Sequence, residues 1–267
     1  MTGDDSDVGV LGVGELAGAL LQALAAAWPG RRFHLSPRGE TSSRELATRF
    51  GFERHGSNQS VANACRLLIV GVRPGQIAPL AAELRLTAAH HLLVLAAGAP
   101  LAQLRMSFAP AAVTRVMTGL AVAGGRSTIS LFPRNDEAQQ LFAPACATLL
   151  AFDQEAHFDA SMLAICANAW WLEQLGMLTD WMCQRSGMGC AQAQALLAGN
   201  MADVAGLLAL APDRGARDLA RTIGTPGTYT ALGLDMLQAR GAHAAWVEAL
   251  EVLFQRLQPA QAVGPQG

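Results

Sequence analysis

The sequence predicts an α/β chain in two parts: a doubly wound parallel sheet over residues 1–157 and an all-α module over residues 158–258, with a tail at 259–267. Three observations predict it. Short apolar runs alternate with helix-like segments through the first part, strand patterns stop after Phe152, and the first strand passes directly into a glycine turn and a helix start.

Val8 to Leu11 is an apolar run of strand length, Gly12-Val13-Gly14 a turn, and Glu15 to Trp28 a helix ended by Pro29-Gly30. Arg32 to Ser36 is the second strand. Ser43 to Phe50 reads as a helix closed by Gly51, with Ser42 and Glu45 as a capping box that leaves Glu40 in the loop. Further strands are expected at Leu67 to Val72, Leu92 to Leu95, Val113 to Val116, Ser127 to Leu131 and Ala147 to Phe152, with Asp136 to Phe142 helical. This alternation implies a parallel sheet. Asp159 or Ser161 is suited to cap a helix that runs to Arg185 and is closed by Gly187. A second helix covers Ala191 to Leu210, and a third runs from Tyr229 to Arg240. The tail after Pro259 is small and polar and is expected to be disordered.

The strand, glycine turn and helix start at Val8 to Ala17 form a dinucleotide signature of Rossmann type. Gly12 permits the tight turn, Gly14 lets backbone amides approach a pyrophosphate, and Ala17 lets the helix pack closely on the strand. Val13, Glu15 and Leu16 belong to the same phosphate-facing segment, with the Glu15 side chain expected to point outward. About twenty residues further on, where a carboxylate would grip the 2′-hydroxyl of NAD, the second strand ends without one. Ser36 and Arg38 instead offer a hydroxyl and a guanidinium suited to a 2′-phosphate, which favours NADP(H).

Composition fits a soluble enzyme: 267 residues, 51% hydrophobic, 15% charged, net charge −2. No basic stripe suited to nucleic acid is present, no basic leader opens the chain, and no apolar run is expected to approach the length of a membrane span. The expected location is cytoplasmic. The five cysteines form no CxxC pair and are read as reduced thiols, and neither they nor the histidines have metal-ligand spacing, so no metal is expected. All nineteen basic residues are Arg. The absence of lysine excludes a lysine acid or base and Schiff-base chemistry.

In the helical part, Leu163, Trp170, Trp171, Leu172, Leu175, Met177, Leu178, Trp181 and Met182 form an apolar set too broad for one stripe. Such helices need cover on more than one side, which predicts an intimate homodimer through this domain, with higher assembly left open.

Four segments resemble the pyrroline-5-carboxylate reductase family in order and spacing, over nearly the whole chain. They are the glycine turn with Glu15-Leu16-Ala17; Val70-Gly71-Val72-Arg73-Pro74-Gly75-Gln76, with Arg73 where Lys is usual; Leu92 to Ala99 with its Ala97-Gly98 turn; and Thr225-Pro226-Gly227-Thr228-Tyr229-Thr230. The resemblance implies an NADPH-binding N-terminal domain, a helical dimerisation domain and an active site formed between them. It also implies that Asn58 bonds the adenosine ribose or a phosphate, and that Val72, Arg73 and Pro74 form a cofactor loop. In the family the loop corresponding to Thr225–Thr230 holds the substrate carboxylate and bonds the imine nitrogen. Thr230 aligns with the second Thr of the family's pair and Tyr229 replaces the first.

Gly-Thr-Pro-Gly is a turn before a helix start whose amides and hydroxyls suit an anion, so Thr225, Gly227 and Thr228 are expected at the substrate, and the resemblance implies Thr230 or Tyr229 at the reacting nitrogen. Ala97 and Gly98 leave backbone open to the nicotinamide. A protonated imine is already electrophilic, so reducing it demands little beyond placement. Departures concentrate around the substrate: Met117-Thr118-Gly119-Leu120-Ala121 stands for the family's Met-Pro-Asn-Thr-Pro, and Trp170 and Trp171 are expected to narrow or reshape the pocket. The reading is NADPH-dependent reduction of a C=N bond, of 1-pyrroline-5-carboxylate or a related cyclic imine. The alternatives are a non-catalytic NADP-binding sensor and a hydroxy-acid dehydrogenase with His157 as base.

Overall fold

The computed structural model describes residues 7–257. The expected tail after Pro259 lies outside them. The chain divides into two compact units, with the division inside a helix between Ile165 and Cys166 rather than at His157/Phe158.

The first unit contains β1 (Val8–Leu11), α1 (Glu15–Ala27), β2 (Phe33–Leu35), α2 (Glu40–Phe50), β3 (Glu53–Arg54), α3 (Asn58–Ala64), β4 (Leu67–Val70), α4 (Ile77–Glu83), β5 (His91–Val94), α5 (Leu101–Ser107), β6 (Ala112–Thr118), β7 (Thr128–Phe132), α6 (Asp136–Phe142) and β8 (Thr148–Ala151). The sheet order is β3-β2-β1-β4-β5-β6-β7-β8. The chain starts in mid-sheet and winds to one edge, then crosses back to build the other. Strands covered on both faces lose solvent on every side chain, and β1, β4 and β5 are accordingly continuous buried runs, VGVL, LLIV and HLLV. The inner side of α1 packs against them through Ala17, Leu20, Leu21 and Leu24.

Three expectations are corrected here. The sheet is not wholly parallel, because β7 runs antiparallel to β6. Between Thr118 and Thr128 the chain holds only a 3₁₀ turn at Leu120–Gly124, too short for the crossover a parallel return requires. Next, α2 starts at Glu40, so Glu40 is not in the loop and Ser42 lies inside the first turn rather than capping it. Gly39, at φ 75°, turns the chain into the helix early, and Glu40 pairs with Arg44 one turn on, at 2.5 Å. The third concerns α7 (Glu155–Ser186), which starts ahead of Asp159 and Ser161. Glu155 and Asp159, one turn apart, both bind the guanidinium of Arg115 from β6, at 2.6 and 2.9 Å, and that partner fixes the first turn. The other end matches expectation, with Gly187 at φ 70° just past the helix.

The second unit holds α7 from Cys166 onward, α8 (Cys190–Leu210), α9 (Ala216–Ile223), α10 (Tyr229–Ala239) and α11 (Ala242–Leu257). Trp246 of α11 is 4.3 Å from the ring of Trp171 and meets Trp170 edge-on. Much apolar surface stays exposed, including Leu172, Met177, Trp181 and Val204. The expectation that no apolar run reaches membrane-span length is also corrected. By length and composition alone the 21 residues of α8 qualify, and such a profile equally suits a helix covered by protein.

Candidate active site

Three glycines from three different strand-to-helix links close on one another at the carboxyl end of the sheet. Gly12, after β1, has φ 87°, and a Cβ there would lie 2.6 Å from Cγ1 of Val72. Gly71, after β4, sits so close that its Cβ would be 2.5 Å from the Gly12 carbonyl oxygen and 2.6 Å from Cβ of Ala17. Gly39, after β2, has φ 75°, and its Cβ would fall 2.2 Å from the Val13 carbonyl oxygen. Ligands of open α/β sheets bind at this end, where the order of winding reverses, here between β1 and β4.

Above this cradle stands the start of α1. Gly14 is its N-cap, extended and without a side-chain bond to the first-turn amides. Gly14 and Glu15 are exposed and Leu16 is half-buried, while a Cβ on Gly14 would meet nothing nearer than the Gly71 carbonyl at 3.9 Å. Uncapped amides with a helix dipole behind them and no side chain in front form a site for an anion, and they fit a dinucleotide pyrophosphate.

The structure rearranges the remaining cofactor-side expectations. Ser36 is fully buried, and its Oγ accepts the N–H of Gly12 at 2.8 Å. It is therefore removed from the phosphate-reading set, because burial keeps that hydroxyl from any ligand and assigns it to locking the turn. Arg38 and Asn58 meet at one carboxylate that the sequence reading missed. Glu83, at the end of α4, accepts from Nη2 of Arg38 at 3.1 Å and from Nδ2 of Asn58 at 2.5 Å. Asn58 is buried, and its Oδ1 has no hydrogen-bond partner among the described residues. Only the strand-end position of Arg38 and the helix-start position of Asn58 hinted at this meeting, since Glu83 is remote from both in sequence.

Val72 is buried with its side chain under Gly12, whereas Arg73 and Pro74 are exposed and open a short 3₁₀ turn. Ala97 and Gly98 are exposed after β5, and Gly98, at φ 72°, faces open space where a Cβ would stand. Met117 is corrected: it lies in β6 and is 6% exposed, so it supports the sheet rather than lining an open pocket.

The loop 225–230 belongs to the second unit. Gly227, at φ 85°, makes the turn. Thr228 caps α10, its hydroxyl accepting from the Ala231 N–H at 3.1 Å while donating to the Thr225 carbonyl at 2.8 Å. Its proposed substrate role is corrected accordingly, because capping already engages that hydroxyl both as donor and as acceptor. Thr225 and Thr230 are exposed, and Tyr229 is 94% exposed at the first position of α10. Trp170 is half-buried against Trp246.

Against the expectation of no metal-ligand grouping, His34, Glu53 and His55 bring donor atoms within 4.8 Å of one another at the β2–β3 edge.

A family model described as NADP oxidoreductase, coenzyme F420-dependent, matches residues 7–99. Over 97% of its length the chain is 21% identical to pyrroline-5-carboxylate reductase 2 of Dictyostelium discoideum, covering 94% of that protein. Among solved structures it is similar to 1-pyrroline-5-carboxylate reductase of Streptococcus pyogenes, with a TM-score of 0.82 at 18% identity, covering 94% of this chain and 98% of that one. The pyrroline carboxylate reductase of Plasmodium falciparum, solved with NADP bound, gives 0.81 at 16% identity, over 94% of this chain and 97% of that one. These likenesses support the fold class predicted from the sequence.

Proposed function

We propose that this protein is an NADP(H)-dependent reductase of C=N bonds, acting on a small imine that carries an anionic group, 1-pyrroline-5-carboxylate or a related cyclic imine. The observation that carries the reading is the uncapped first turn of α1 above the interlocked Gly12, Gly39 and Gly71. Similarity to pyrroline-5-carboxylate reductases, one of them solved with NADP, supports it.

When bound, the dihydronicotinamide supplies a hydride. The chain's residues bind and orient. First-turn amides of α1 hold the pyrophosphate, and the open backbone at Ala97-Gly98 admits the nicotinamide end. Arg38 pairs with the 2′-phosphate, exchanging Glu83 for it. In the second unit, as the resemblance implies, the first-turn amides of α10 take the substrate's anionic group, and the Thr230 hydroxyl or the Tyr229 phenol accepts from the N–H of the protonated imine, whose proton stays on the product amine.

The double variant Thr230→Val, Tyr229→Phe is expected to lose about 100-fold or more in kcat/KM with NADPH affinity unchanged. The assay follows NADPH oxidation against a panel of cyclic imino acids, and full activity of the variant would overturn the assignment. A second expected result concerns Glu83. Its carboxylate competes with a phosphate for Arg38, and both groups are near the surface, so the effect is modest. Glu83→Gln should raise the preference for NADPH over NADH by roughly twofold to fivefold. An unchanged ratio in paired titrations means that Arg38 does not read the phosphate.

Self-association through the helices of the second unit belongs to the same proposal, supported by the exposed Leu172, Met177 and Trp181. Sedimentation at the mass of a single chain would remove it.

A further inference from the structure

We propose that His34, His55 and Glu53 form a binding site for one divalent transition-metal ion of the zinc class at the β2–β3 edge of the sheet, independent of the nucleotide reading. The backbone sets the three side chains. His34 and Glu53 are register partners across β2 and β3, and the His55 N–H bonds the Leu35 carbonyl at 2.9 Å. His34 Nδ1 lies 2.8 Å from His55 Nε2. The carboxylate spans both rings, with Oε2 3.5 Å from His34 Nδ1 and Oε1 3.5 Å from His55 Nε2. Two ligands that each sit about 2.0–2.2 Å from a shared ion are roughly 3–3.5 Å apart. A hydrogen bond between the imidazoles accounts for their own contact, but it leaves the carboxylate at 3.5 Å from both, beyond charge-assisted hydrogen-bonding distance.

The surroundings complete the pattern. His34 Nε2 lies 3.1 Å from Oδ2 of Asp7, which Arg32 holds in turn at 2.9 Å. A proton placed on Nε2 toward that carboxylate leaves Nδ1 as a lone pair directed at His55 and Glu53, the arrangement by which a second carboxylate orients a metal-binding imidazole. The His34 and His55 side chains are 6% and 14% exposed and that of Glu53 is 63% exposed, so the site is fixed on one side and open to solvent on the other. Two imidazoles with one carboxylate suit Zn²⁺, Co²⁺ or Ni²⁺ rather than Ca²⁺ or Mg²⁺. The buried Cys65 lies outside this donor group. An ion here clips the two-residue edge strand β3 to β2, whose next residue, Ser36, holds the Gly12 turn.

The test is a Co²⁺ titration of the full chain freed of metal by a chelator, followed by visible absorption, with Zn²⁺ in competition. One equivalent is expected to bind, and excess Zn²⁺ should raise the unfolding midpoint by roughly 5 °C or more. His55→Ala should abolish both effects and Glu53→Gln should weaken them, while Asp7→Asn should lower affinity about 10- to 100-fold. Glu53→Gln, at the solvent side, keeps the test usable where a change at a mostly buried histidine prevents folding, and circular dichroism checks that each variant folds. The site is overturned by the absence of a Co²⁺ spectrum and a Zn²⁺ shift in the wild type. It is equally overturned by His55→Ala and Glu53→Gln titrating like the wild type, the result that metal held by the exposed cysteines would give.

Discussion

Replacing Gly39 with alanine is expected to destabilise the first unit by roughly 2–6 kcal/mol and to abolish nucleotide binding. Two costs coincide there. At φ 75° an L side chain is strained, and the new Cβ would stand 2.2 Å from the Val13 carbonyl oxygen and 2.9 Å from its carbon. Those atoms are backbone, so no side-chain rotation relieves the overlap. Val13 sits between Gly12 and Gly14, and displacing it draws Gly12 from the Ser36 hydroxyl and tilts the amides of α1 away from the phosphates. Gly51→Ala, at the end of α2, is the control for the conformational cost alone, because its φ is 73° and nothing lies within 4 Å of the added atom. Denaturant unfolding and NADPH titration on both variants make the comparison. A Gly39→Ala protein with native stability and affinity means the cradle is not what shapes the nucleotide turn.

The second large effect is expected at Arg115, which is 2% exposed on β6. Its guanidinium binds Glu155 and Asp159 at the start of α7 and lies 4.5 Å from the centre of the Phe158 ring. Glu155 also accepts the Leu101 N–H at 2.7 Å, so the same group ties down the start of α5. Arg115→Met keeps much of the volume and leaves the two carboxylates without their cation. Removing one partner of a buried pair costs about 3–5 kcal/mol. Glu155 and Asp159 retain some solvent, at 35% and 27% side-chain exposure, which places the effect toward the lower end. For a chain of this size that corresponds to a midpoint lower by roughly 6–12 °C in calorimetry. Adding Glu155→Gln and Asp159→Asn to Arg115→Met should recover part of the loss. No change in midpoint for Arg115→Met would show that the pair contributes no net stability.

The elements legible in the sequence share a physical character. β1 spans Val8–Leu11 and α6 spans Asp136–Phe142 as the sequence predicts, the first because a strand covered on both faces is a continuous apolar run, the second because Asn135 caps its helix. The turn at Gly12 is legible because its backbone conformation demands glycine. By contrast β3 has two residues, and α3, α4 and α5, each of seven residues like α6, are too short for periodicity to show and lack the acidic first turn that marks α6. At the site, Ser36 illustrates the ambiguity. A hydroxyl at a strand end suits a phosphate and an inward lock equally well, and only its burial against Gly12 decides between them. The start of α7 was obscured similarly, since the partner that fixes it is an arginine forty residues back on β6.

By itself the sequence determined the two-part α/β architecture, the positions of every strand of the first unit but β3 and of the helices α1 and α6, and the glycine turn before α1. Each is encoded by residues adjacent in the chain, through side-chain period and allowed backbone angles. Only the tertiary structure decided that Gly39 and Gly71 complete the cradle, that Glu83 joins Arg38 to Asn58, that Arg115 anchors α7, and that His34, Glu53 and His55 converge. Those meetings depend on register and packing between segments distant in sequence, and no local pattern records which polar group faces which.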